Sequence, residues 1–97
     1  MSTTKRWLVP AVDVFESDDA WRLVADVPHV TRDQVEVTVH EGVLKIRADG
    51  GSVGYERSFR LPTRVAGDAV DAGLEGGVLT LTIPKPPEAR PHRVAIA

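Results

Sequence analysis

Three histidines, His29, His40 and His92, are the residues of this chain best suited to proton transfer or metal binding. None is closely paired with another, and there is no cysteine to complete a ligand set. They read as structural or surface side chains. Asp13, Glu16, Asp18 and Asp19 bring carboxylates together, but the glycine and terminal glutamate of a calcium loop are missing at the required offsets. Gly50-Gly51-Ser52-Val53-Gly54 is glycine-rich yet precedes no helix, so it does not form a phosphate cradle. No nucleophile elbow or zinc-protease helix motif occurs either. Trp7 and Trp21 are a possible ligand platform. Trp21, however, falls on the apolar side of an alternating segment and reads as core. The chain carries no recognisable catalytic set, and no cofactor or metal is expected.

The elements that position these residues are short. A chain of 97 residues makes one domain with a single core. Seven prolines and eight glycines spread along it argue against long helices. With 27% charged residues and a net charge of −2, no basic surface marks a nucleic-acid partner. The longest N-terminal apolar run, from Trp7 to Val12, is too short for a signal peptide or a membrane span and contains Pro10. A cytoplasmic protein without membrane contact is the expectation.

Period-two alternation recurs in about seven segments. It is weak over residues 12–16 and clear over 20–27, where Trp21, Leu23, Ala25 and Val27 share a side. Pro28 closes that strand. After a turn at Thr31-Arg32-Asp33, Val35, Val37 and Val39 alternate with Glu36, Thr38 and His40. Glu41-Gly42 is a two-residue hairpin loop, and the strand returning over 43–48 keeps Leu44, Ile46 and Ala48 on one face. Residues 49–54 read as a flexible loop, 55–61 as a strand ended by Pro62. A last hairpin joins residues 69–74 to 78–83 through Gly76-Gly77, whose permissive backbone suits a tight reversal. There Leu79, Leu81 and Ile83 face one way, Thr80 and Thr82 the other. Pro84-Lys85-Pro86-Pro87 then opens an extended tether that ends in Val94-Ala95-Ile96. Many short strands with turns between them predict an all-β, immunoglobulin-like antiparallel sandwich. The stripe of Val35, Val37 and Val39 is consistent with core or with a binding wall.

Five segments in order resemble the α-crystallin domain of the small heat-shock protein family, across about residues 10–96. They are Asp26-Val27-Pro28-His29-Val30; Asp33 to Val37 with Gly42 to Arg47; Arg57-Ser58-Phe59-Arg60-Leu61-Pro62; Ala72 to Lys85 with its Gly-Gly-Val-Leu core; and Val94-Ala95-Ile96, similar to the family's C-terminal I-x-I/V motif. The resemblance implies an arm over residues 1–9, a domain over 10–84 and an extension over 85–97. It implies an ATP-independent holdase, not an enzyme, that binds partly unfolded client proteins and self-associates into dimers or small oligomers. It also implies that Val94 and Ile96 insert into a groove walled by Val35, Val37 and Val39 on one strand and Val70 and Ala72 on another. Arg57 matches an arginine that the family places at its dimer interface. Two other roles stay open: a CS-domain-like co-chaperone module, or a regulatory subunit co-assembling with longer family members.

Three departures from the family pattern carry expectations. His29 stands where glycine is usual, so a different turn backbone is expected. Residues 49–54, half of them glycine, are too few to present the exchanged strand that many bacterial and plant members use to dimerise. Trp7, Leu8 and Val9 stand in place of a long apolar arm, which predicts weaker holdase activity and smaller assemblies.

Magnitudes constrain the tail. Burying Val94 and Ile96 gains roughly 1.5–3 kcal/mol each, while ordering the three tail residues costs roughly 1–2 kcal/mol apiece. The net lies near zero or slightly favourable, so the plug should exchange readily. Ten residues separate Ile83 from Val94, a reach of at most about 35 Å, enough for the chain's own groove or a neighbour's.

Overall fold

The computed structural model describes residues 5–91 and 94–97. Eight strands form two four-stranded sheets: β1 (Arg6–Leu8), β2 (Val12–Glu16), β3 (Ala20–Asp26), β4 (Val35–His40), β5 (Val43–Asp49), β6 (Val53–Arg60), β7 (Asp71–Glu75) and β8 (Val78–Pro84). One sheet runs β1-β6-β5-β4, the other β2-β3-β8-β7. This is the expected sandwich, with the inward face of each central strand supplying the core. Leu44, Ile46 and Ala48 of β5 face Leu79, Leu81 and Ile83 of β8, and all are almost fully buried with Leu23, Ala25 and Val27. Each larger aliphatic side chain contributes about 1.5–3 kcal/mol of burial.

Turn chemistry sets the registers. Glu41 and Gly42 both have positive φ, +50° and +79°, and pair His40 with Val43. Gly76 and Gly77 do the same at +56° and +77°, pairing Glu75 with Val78. Two consecutive left-handed residues match the right-handed twist of the flanking strands, and glycine holds that conformation without a Cβ clash. The Thr31 turn becomes one 3₁₀ turn over Arg32–Gln34, closed by the Gln34 side chain accepting from the Thr31 N–H at 2.8 Å.

The structure corrects three expectations. His29 has φ +65°, so it keeps a left-handed conformation rather than adopting a different turn. Half of residues 49–54 are ladder: β5 runs to Asp49, β6 starts at Val53, and Gly50 to Ser52 make the reversal. Finally, Arg6–Leu8 is an eighth strand, missed because three residues show no period. It pairs in parallel with Val53–Tyr55, so the first sheet is mixed.

Candidate functional site

β4 and β7 are edge strands of opposite sheets, and among the described residues no hydrogen-bonded strand closes the sandwich mouth between them. The register turns Val35, Val37 and Val39 to the same side as Ala48, Ile46 and Leu44. Ala72 and Leu74 of β7 point inward beside Leu81 and Leu79. The result is an open groove of about 430 Å³ lined by Arg32, Val35, Val37, Ala72, Gly73, Leu74 and Leu79. Small side chains at Ala72 and Gly73 keep one wall low. Five of the seven lining side chains are aliphatic, Gly73 exposes backbone, and Arg32 supplies the one formal charge. Such a surface removes an apolar segment from water without making or breaking a covalent bond.

The five wall residues proposed from sequence divide in two. Val35, Val37 and Ala72 line the groove. Val39, half-buried like the other two valines, lies outside it beside a second open cavity with Glu41, Leu61 and Val65, and a Cβ on Gly67 would stand 3.7 Å from it; Val70 packs against the core. Sequence alone missed Arg32, Gly73, Leu74 and Leu79. Leu74 and Leu79 carried a signal, since both alternate inward on the last hairpin. Arg32 lies outside any strand and gave none.

Val94 and Ile96 stand 81% and 96% exposed, clear of the chain's own groove. Arg57 on β6 donates from Nη1 to the Pro10 carbonyl at 3.2 Å and lies 4.7 Å above the Phe59 ring, so here it ties β6 to the segment entering β2. Trp7 lies against Gly54, where a Cβ would come within 2.5 Å of the indole. The Arg47 guanidinium stacks 4.4 Å from that ring and Lys5 Nζ stands 5.1 Å from it. Lys5 also pairs with Asp49, and this hydrogen bond, followed by one from the Gly51 N–H, holds the Asp49 carboxyl below its usual pKa. Trp21 is partly buried against the core, as its alternation predicts.

The candidate metal and acid–base residues are scattered. Both His40 and its neighbour Glu41 are exposed. His29 is exposed in its turn, and His92 lies outside the described residues. Asp19 accepts from the Ser17 hydroxyl at 2.9 Å, and Glu16 is engaged by Lys85. Among the described residues, no three histidine, aspartate or glutamate side chains converge, and no helix is long and apolar enough to cross a membrane.

A sandwich with an apolar mouth between two free edges is the architecture of the α-crystallin domain. The Hsp20/alpha crystallin family model matches residues 13–97. Spore protein SP21 of Stigmatella aurantiaca is 38% identical over 105 residues, covering 92% of this chain and 62% of that protein. The chloroplastic heat shock 22 kDa protein of Chlamydomonas reinhardtii is 32% identical over 106 residues, covering 88% and 68%. Among solved structures, hspA from Xanthomonas axonopodis superposes with a TM-score of 0.74 at 31% identity, covering 82% of this chain and 96% of that one. A small heat-shock protein from Xylella fastidiosa, described as having a distinct high order structure, gives 0.73 at 27% identity, covering 93% and 97%. The chain belongs to the Hsp20/alpha crystallin family of small heat-shock proteins. It spans 62% of the length of the spore protein it matches.

Proposed function

We propose that the protein is an ATP-independent holdase that captures apolar segments of partly unfolded proteins in the β4–β7 groove and along exposed strand edges. The observation that carries this reading is the groove itself: valines of β4 and small residues of β7 line a mouth that the fold leaves unsealed. The outer edge of β2 adds a second surface, where Val14 and Phe15 are 57% and 56% exposed beside unpaired backbone. Family membership supports the same reading. The tail competes for the groove: Val94 and Ile96 of one copy fill it in another, and a client displaces them. Self-association through tails and through the β6 face around Arg57 follows, as does co-assembly with longer relatives whose tails fit the same groove.

The test heats a model client with increasing ratios of the protein and follows light scattering. The wild-type chain should suppress aggregation, and Val37→Glu, which places a carboxylate in the groove, should lose most of that effect while keeping the sandwich. Absence of suppression at every ratio, with the protein folded, would remove the holdase reading.

A further inference from the structure

Lys85 opens what reads from sequence as a loose tether, yet it is only 5% exposed. Its N–H donates to the Asp19 carbonyl at 2.8 Å, extending the pairing of β8 with β3 into the β2–β3 turn. Its Nζ donates to the Glu16 carboxylate at 2.6 Å and stands 5.0 Å from the Trp21 ring. Its carbonyl in turn accepts from Arg90 Nε at 2.9 Å, and Pro87–Ala89 coils into a 3₁₀ turn between them. Among the described residues, its hydrogen-bond and aromatic partners outside the tail, Glu16, Asp19 and Trp21, belong to β2, β3 or the turn joining them, while Pro84, Lys85 and Pro86 also border a small cavity with Arg64, Val65, Ala66 and Ala69. In sheet order β2 and β3 lie on one side of β8, and β7, the groove wall, lies on the other. The clamp is stable for a plain reason. A buried ammonium must keep an anionic partner, and the aromatic face beneath it adds attraction.

We propose that Lys85 is a positioning residue that steers the tail away from its own groove and so commits Val94 and Ile96 to the groove of a second copy. The inference rests on the groove–tail reading above and adds the device that decides which groove is filled. Without the clamp, the ten residues between Ile83 and Val94 are free to extend to the chain's own β7 edge. With it, Pro84 and Lys85 are fixed to the β2–β3 turn and three more residues are coiled, which shortens the length of tail left to reach β7. Glu16, drawn below its usual pKa by the Lys85 hydrogen bond and charge, stays ionised through the neutral range and keeps the clamp shut.

The chain has no cysteine, so a full-length protein carrying Val37→Cys and Ile96→Cys reports the partition directly. After mild oxidation at low concentration, non-reducing mass analysis separates disulfides within a chain from those between chains. Bridges between chains should dominate in the otherwise native protein. Lys85→Met, which keeps the buried volume and removes the charge, should raise the within-chain share several-fold. Glu16→Gln, at a solvent-facing position that cannot disturb the core, should shift it the same way by less. Equal partition in all three proteins would overturn the steering role while leaving the tail in the groove. No disulfide in any of them, with folding intact, would overturn the groove–tail reading and this inference with it.

Discussion

Trp7-Leu8-Val9 and Val94-Ala95-Ile96 are both apolar triplets at the margins of the sandwich, and the structure treats them in opposite ways. Trp7 and Leu8 of the first are docked in β1, with Arg6, Trp7 and Leu8 registered on Val53, Gly54 and Tyr55, and only Val9 beyond the strand stands 74% exposed. The second stands in solvent, with Ile96 96% exposed against 42% for Trp7. Apolar content does not separate them. Burial of a few side chains barely offsets the roughly 1–2 kcal/mol per residue lost on ordering a backbone, so a short segment docks only where extra partners wait. β1 has a backbone ladder, a glycine that admits the indole, and Arg47 and Lys5 against the ring. Among the described residues, Val94 and Ile96 meet no such partners within their own chain.

The most disruptive way to break this contrast is Gly54→Val. A side chain there collides with the Trp7 ring, so β1 should lift from β6 at a cost of about 2–3 kcal/mol. Chemical denaturation reads the loss, and tryptophan emission should shift to the red as Trp7 enters water. An unchanged spectrum would mean that Trp7 does not rest on Gly54. Trp7→Ala removes the anchor and leaves the glycine, and should cost about 1–2 kcal/mol because the indole is only partly buried. If β1 is then as protected from hydrogen exchange as before, the backbone ladder alone holds it.

At the other end, Val94→Ala with Ile96→Ala should leave the unfolding free energy of the domain within about 0.5 kcal/mol. The same pair should lower the mass in solution at moderate concentration, since the plug is lost. A large fall in stability would mean that the tail packs on its own domain, contrary to its exposure. The smallest effect concerns Asp49. Its folded pKa lies below the unfolded value because Lys5 hydrogen-bonds the ionised form, so this contribution is present above the unfolded pKa. It is lost as pH falls through the folded value, below the ordinary carboxylate range. Asp49→Asn should therefore leave β1 docking slightly weaker at neutral pH and flatten its acid dependence, followed by hydrogen exchange of Val53 to Tyr55.

Much of this was legible in the chain itself. Period-two alternation located seven of the eight strands to within two residues, and Glu41-Gly42 and Gly76-Gly77 placed both hairpins. β1 escaped because three residues carry no period and its partner lies about 50 positions away in sequence. His29 shows the limit of reading a substitution by type. A residue other than glycine can hold φ +65° when the surrounding strands demand it, at a cost of order 1–2 kcal/mol.

For the groove, alternation showed that Val35, Val37 and Val39 share a side but not how far the facing sheet stands from each. In three dimensions they part: Val35 and Val37 line the groove with β7, and Val39 faces a second cavity with Leu61 and Val65. Lys85 is the clearest case. Its local sequence is a proline tether, and its burial depends on Glu16, 69 positions away. The positions of the strands, their turns and the family were thus legible in local residue types, because pleat and turn geometry act over a few residues. Which valines share the groove, which tryptophan is an anchor and how Lys85 is held were decided only in three dimensions, because each depends on a contact between segments remote in sequence.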